Sequence, residues 1–579
     1  MKISRMIGKS LSLKSSARLI HRRNSALKLL ITVSAQSLTP IREQSLPLLF
    51  AALPSTPPGR EDSSARARYQ TVLSVLSTLS TPTLLFAALV AELYPRIVAV
   101  AFPSSAETDP ELSAAFLHSL LLAIKRALGT KVDDKHDDVG DFVDTLLPGL
   151  YGVCVRAALQ GGPARDRRVV AVIADIIGLV LQRLSPEKQQ IFASKLFPAF
   201  LSGEIAAICT PEYIAAGFRF IPFEADATTS ERDLLVLFEA SVAPLDKSVV
   251  VDADINACVQ RILDLGLTRA ENQLQEGSVL RIVASIVNKH VDELGAFLEE
   301  KSATFWSTQI VAVGSTDKRR QAIRAWTWIS KALLVRSHPQ SLPFIERLFS
   351  VFSDPDIGTD AAKAFGLLAG RDETLTKKNG AVVRILWAQK FAIGILPKLM
   401  GGAKDTSTNQ ARVYLVALTA LIKAVPHAAY SAEMPALFPL LLRALALPMP
   451  DAGVRADVVE TLLEAVVTSP PIEKGKPSSS SSTEDTVLSE HAASLARTML
   501  SLARPTTTSG TGTGALSTPR LRLAALRLLG ALPRVVRYDV LHPSKADVLR
   551  GLDAALDDPK KSVRREAVDA REVWFKYTG

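Results

Sequence analysis

Four stretches of this chain carry residue types that could do chemistry, and spacing decides what each can do. "GTGTG", Gly510–Gly514, has the glycines of a phosphate cradle but neither a preceding strand nor the glycine spacing of a dinucleotide loop. "IGKS", Ile7–Ser10, ends like a nucleotide-binding loop, yet Ile3 stands where that loop needs its first glycine. "KVDDKHDDVGD", Lys131–Asp141, is the one dense acidic cluster with a histidine. Its acids miss the calcium-loop spacing and no second histidine lies nearby, so they are expected to cap a helix beginning near Val139, at its positive end. The fourth stretch is "LDDPKKSVRREAVDAREVWFKYTG", Leu556–Gly579. Its basic residues could grip a phosphate backbone, or its helix could be half of a structural repeat.

Nothing else converges on a reaction. The eight histidines (21, 118, 136, 290, 338, 427, 491 and 542) form neither an HExxH nor an i, i+4 pair, and no GxSxG occurs. Cys154, Cys209 and Cys258 stand about fifty residues apart, giving no CxxC and no four-thiolate cluster site. Without a nucleophile, base and oxyanion donor, the chain reads as non-catalytic, with no metal or cofactor. Thiols without a disulfide pattern fit a reducing compartment.

Charge narrows the partners. The net charge of +10 resides almost wholly in the first 42 residues, which hold nine Lys and Arg and no acid, leaving +1 for the remaining 537. A duplex-binding protein needs a concentrated basic face, so direct nucleic-acid binding is not expected. The basic, serine-rich start resembles a mitochondrial transit peptide; its other reading is a helical segment whose upstream neighbours belong to a longer gene product. No apolar run is expected to reach the ~20 residues of a membrane span. The nearest, Val169–Leu181, is interrupted by Asp175 and reads as a buried helix.

The elements that must carry these residues are helices. Nearly half the residues are apolar, only 6% are aromatic, and apolar positions recur at three and four residue spacing between Pro, Gly, Ser and Asp breaks. About two dozen helical stretches joined by short loops predict an all-α superhelix, a solenoid of antiparallel hairpins running from residue 43 to 579. A motif of apolar-Pro-x-apolar recurs at Pro47, Pro148, Pro198, Pro343, Pro397 and Pro439, and is expected to bend each first helix. Arg68, Arg168, Arg412 and Arg455 precede the long apolar second helices. Two low-complexity insertions, near 469–486 and 505–518, are expected to protrude as surface loops or phosphorylation clusters.

Asp558 followed by Pro559 predicts the start of the last helix. Val563, Ala567, Ala570 and Trp574 form its buried stripe, and Arg565, Asp569, Glu572 and Lys576 lie opposite. Mixed signs favour a solvated repeat helix over a phosphate grip. Trp326 and Trp328 lie on opposite sides of one helix, so at least one is expected outward. Trp387 sits beside Arg384, Gln389 and Lys390, a composition typical of contact surfaces.

"DAGVRADVVETLLEA" from Asp451 and "DDPKKSVRREAVDA" from Asp557 resemble HEAT repeats, whose second helix opens with Asp and then Val-Arg. The resemblance implies that the arginine pairs with an Asp of an adjoining repeat. Gly358–Met400, Leu521–Pro533 and the terminal basic helix with Trp574 and Phe575 look more specifically like the large HEAT adaptor of the cytosolic iron–sulfur protein assembly targeting complex, the methyl methanesulfonate sensitivity and DNA repair family. Residues 358–579 carry the resemblance best. It implies an adaptor joining a WD-repeat propeller subunit and a small cluster-carrying subunit. Its clients would be apo-proteins such as DNA helicases, polymerases and primase, in cytoplasm and nucleus. Docking is expected at Lys560, Lys561, Arg564 and Arg565, although Arg564 could be held by the ladder. Other readings are a nuclear transport receptor, for which the body is insufficiently acidic, and a DNA-binding repair scaffold. Homodimerisation stays open.

Overall fold

Capping chemistry sets where the helices begin. Side chains of Asp62, Asp109, Asp166, Ser185, Asp254, Asn272 and Thr518 each accept a backbone N–H in the first turn of the helix they precede. Pro110, Pro186 and Pro519 follow three of these caps, where a missing N–H costs nothing. The computed structural model describes residues 38–103, 109–213, 219–251, 254–312, 314–405, 408–446, 452–468, 483–505 and 517–578. It is 79% helical, and no strand occurs among those residues. The sequence expectation of an all-α fold built of helical hairpins is met.

Unit 1 comprises Met1–Lys301 with Thr374–Val382. Its longer helices are α1 (Ser63–Leu79), α2 (Thr83–Ala101), α3 (Pro110–Asp133), α4 (Leu147–Gln160), α5 (Arg167–Leu181), α6 (Pro186–Leu201), α7 (Leu235–Val242), α8 (Ile255–Arg269) and α9 (Gln273–Lys289). The odd-numbered helices stack successively in one layer, α1 on α3, α3 on α5, α5 on α7 and α7 on α9, while even-numbered helices form the other. Segment 374–382 joins this unit through polar bonds. The Asn288 side chain accepts from Val382 N (2.7 Å) and donates to Val382 O (3.3 Å), and Gln182 donates to Asn379 (2.9 Å).

Unit 2 comprises Ser302–Glu373 with Val383–Gly579. It holds α10 (Thr316–Val335), α11 (Ser341–Ser350), α12 (Gly358–Ala369), α13 (Trp387–Asp405), α14 (Thr408–Ala424), α15 (Met434–Ala446), α16 (Ala452–Thr468), α17 (Thr483–Ala503), α18 (Pro519–Val535), α19 (Lys545–Leu556) and α20 (Lys561–Lys576). Here α10, α12, α14, α16, α18 and α20 stack in order as one layer and the intervening helices form the other. Each helix therefore buries one stripe against its hairpin partner and another against the next repeat.

Several expectations change. Pro198, Pro397 and Pro439 lie inside helices, but Pro47 and Pro148 occupy first-turn positions, so one motif serves two backbone roles. Trp326 and Trp328 are both buried (0% and 9% exposed), because α10 is covered on several sides. Thr83–Ala101 and Pro110–Asp133 are long and apolar enough to cross a membrane, more so than Val169–Leu181. An unbroken apolar run was the wrong measure, since Glu92 and Arg96 interrupt the first helix without lowering its mean hydropathy much; Leu85, Phe86, Leu89, Leu93 and Ile97 of that helix are fully buried. α17 begins at Thr483, within the stretch assigned to the first insertion. Residues 1–37, including Ile7–Ser10, and 469–482, Gly510–Gly514 and Asp451 lie outside the described residues.

Candidate functional site

Asp558 is the residue that organises the last repeat, though not as the predicted cap. α20 starts at Lys561, and Lys560, at its N-cap, makes no side-chain cap. Asp558 is instead wholly buried, bound to Arg522 of α18 through Arg522 Nε (2.6 Å) and Nη2 (3.2 Å), while its Oδ1 also accepts from Lys560 N (2.8 Å). Two carboxylate oxygens matched by a guanidinium fork satisfy a buried charge pair that would otherwise be costly. Lys560 is extended (φ −94°, ψ 122°), and the helix begins only after it, three residues beyond Asp558.

The same device recurs. Arg319 of α10 binds Asp354 (2.5 Å), and Arg232 binds Glu271 in unit 1. These pairs, spaced 35, 36 and 39 residues, are separate arginine–carboxylate contacts of the kind the HEAT resemblance implied. Their arginines are mostly others than those expected. Arg168 turns back to its own cap, Asp166 (2.8 Å), whose carboxyl this bond lowers below the usual range. Arg455 is half-buried and its acidity is raised by desolvation. Leu521-Arg522 was a legible Val-Arg variant, with Asp558 36 residues on.

A second repeated device had no sequence signal. Lys131, Lys289 and Lys331 are buried, and each donates to a carbonyl just past the end of a neighbouring helix: Thr81 (3.0 Å) after α1, Ala243 (2.6 Å) after α7 and Gly370 (2.9 Å) after α12. N–H donors there answer the orphan carbonyls at the negative pole of each helix. Asp138 pairs with Lys131 (2.8 Å) and Asp372 with Lys331 (2.9 Å). The Asp137–Asp141 turn is a 3₁₀ helix without a side-chain cap, so the acidic cluster serves ion pairs rather than the expected helix start. Among the described residues no group of His, Cys, Asp and Glu could hold a metal ion. Cys154 is buried and its thiol pushed up to about 12, and burial raises Cys209 as well, which leaves both poor nucleophiles.

On α20 the predicted stripe is in place: Val563, Ala567, Ala570 and Trp574 are at most 3% exposed. Trp574 Nε1 donates to Leu529 O (2.8 Å), tying the helix to α18, and Lys545 Nζ binds Tyr577 O (2.8 Å). The opposite face exposes Lys561, Arg565, Val568 and Phe575, the last at 72%. Arg564 donates to Asp558 O (2.7 Å) and Pro559 O (3.2 Å), so carbonyls hold it rather than a ladder carboxylate. Among the described residues Lys560, Lys561 and Arg565 make no ion pair, whereas Arg571 and Lys576 are paired with Asp553 and Glu572. Two free cations and an exposed ring thus share α20, with a third cation at its N-cap. Val568 and Phe575 were not anticipated as surface residues; their place off the Val563, Ala567, Ala570 and Trp574 stripe in the 3.6-residue period was the available signal.

Comparison with known proteins gives the family. The human MMS19 nucleotide excision repair protein homolog is 28% identical over 460 residues, covering 78% of this chain and 41% of that protein. The Bos taurus homolog is 30% identical over 445 residues, and the DNA repair/transcription protein mms19 of Schizosaccharomyces pombe 24% over 538, covering 49% of its length. The chain therefore spans two-fifths to half of these relatives. A structure of the karyopherin Kap121p bound to the extreme C-terminus of the phosphatase Cdc14p aligns at TM-score 0.41 and 11% identity, over 99% of this chain and 49% of that one. The model of the RNAPII transcription regulator C-terminal family matches residues 72–533, reaching well before residue 358 and ending before α20. With most of its length matched, the chain belongs to that family, MMS19_C.

Proposed function

We propose that this chain is a non-catalytic adaptor in the targeting of cytosolic iron–sulfur clusters, the cluster being cargo. It brings apo-clients of DNA replication and repair, such as helicases, polymerases and primase, to a small cluster-carrying subunit alongside a WD-repeat propeller subunit, in cytoplasm and nucleus. Family membership supports the setting, since its relatives are named for DNA repair and transcription. The observation that carries the docking site is the outer face of α20, where Lys560, Lys561 and Arg565 stand unpaired at its start and Phe575 is exposed near its end. Unpaired cations at one end and an exposed ring at the other suit a partner surface that offers carboxylates and an apolar recess. Holding donor and client on one scaffold makes their encounter intramolecular, which needs no reactive group on the scaffold.

Co-purification with the propeller and small subunits tests this. Lys561→Glu with Arg565→Glu, and separately Phe575→Ser, are expected to weaken association about tenfold or more, roughly 1.4 kcal/mol each. Deleting Leu556–Gly579 should abolish it, but removes Asp558 and Trp574 too, so the surface substitutions carry the decision. Undiminished association of both surface variants would refute the placement.

A further inference from the structure

Unit 2 carries a second exposed apolar surface, at the start of α13. Ile385, Leu386 and Ile393 are 76%, 56% and 62% exposed, and Trp387 between them is half-buried. The other four tryptophans are buried. Leu386 takes a left-handed backbone (φ 58°), a conformation that a leucine adopts only under constraint. Constraint is visible on both sides: Arg384 N donates to Val335 O (3.0 Å) at the end of α10, and Leu386 O accepts from Lys390 N (2.9 Å). The next exposed position, Gly394, has open space where a Cβ would stand.

Charge selects the occupant. From Val383 to Lys404 there are four cations and no carboxylate. Lys398 is spent on Glu346 and on the Phe349 ring (4.2 Å), whereas Arg384 and Lys390 are exposed and make no ion pair among the described residues. Two free cations fall short of the cluster of about four to eight that an anionic membrane surface recruits. A second copy of the chain meeting this patch face to face would set the same cations against each other.

We propose that this surface docks an acidic amphipathic helix of a partner protein, its apolar side chains on Leu386, Trp387 and Ile393 and its carboxylates beside Arg384 and Lys390. It is a site separate from α20 and does not depend on the iron–sulfur reading. An apolar stripe at i, i+3, i+4 and i+7 is the natural complement of a flat helical face.

The full chain is titrated with a synthetic leucine–glutamate amphipathic peptide, its leucine–lysine counterpart, and phosphatidylserine vesicles, following acrylamide quenching of the tryptophan emission. The acidic peptide should shield the quenchable component, which Trp387→Phe removes, and the basic peptide should not. Arg384→Glu with Lys390→Glu should weaken binding about tenfold or more. Leu386→Gly should weaken it too while Tm holds, since glycine tolerates that backbone. No shielding up to about 1 mM peptide, equal binding of both peptides, preference for vesicles, or unaltered binding by the charge-reversed variant would each overturn the proposal.

Discussion

Buried charges do much of the specific work at the residue scale. Arg522 and Asp558 are 6% and 0% exposed, so removing one partner strands the other away from water. Asp558→Ala is expected to lower the stability of unit 2 by about 3–5 kcal/mol in urea denaturation. The double replacement Arg522→Met, Asp558→Leu should recover most of it, because two apolar groups leave no stranded charge. Lys289 gives a signature in pH. Desolvation lowers it from the ordinary 10.5 to about 7. Between those values the unfolded chain binds the extra proton, so stability rises with pH through that window and the full cost of burial is present below it. Unfolding free energy should climb by up to ~1.4 kcal/mol per pH unit from pH 7 to 9, and Lys289→Met should remove that slope. A slope unchanged in the variant would place the titrating group elsewhere.

Close packing is decided at the scale of the element. A Cβ on Gly266 of α8 would lie 2.2 Å from Val279 Cγ1 of α9, so this hairpin closes only because position 266 has no side chain. Gly266→Ala should cost about 1–3 kcal/mol through overpacking, despite alanine's better helix propensity. Unchanged Tm would mean that the hairpin can open without penalty. The prolines teach a related lesson. The motif around Pro148 and that around Pro397 read alike, yet one starts a helix and the other sits within one. Local sequence fixes that proline's N–H is missing; which carbonyl would have wanted it depends on where the preceding loop ends.

The whole molecule is scaffold-like in its charge. With +1 net over residues 43–579, the body has almost no overall excess of cations to neutralise phosphates. Duplex DNA affinity measured by anisotropy should be weak at physiological salt and fall only shallowly with added salt. A steep slope, corresponding to many released counterions, would instead support a DNA-binding repair scaffold. Stacked repeats contact mainly their neighbours, so the effects of Asp558 and Gly266 should stay within their own units, a pattern that hydrogen exchange would read directly.

Periodicity determined the fold by itself, because apolar residues three and four apart must share a helix face and hairpins of such helices must stack to bury it. It also gave the stripe of α20, since Val563, Ala567, Ala570 and Trp574 are neighbours within one element. Asp558 as the partner of Arg522, Lys131, Lys289 and Lys331 as caps of other helices, and the exposure of Leu386 were settled only in three dimensions. Each depends on which remote carbonyl, carboxylate or empty space faces the side chain, and contacts between repeats some 35 to 50 residues apart leave no period to read.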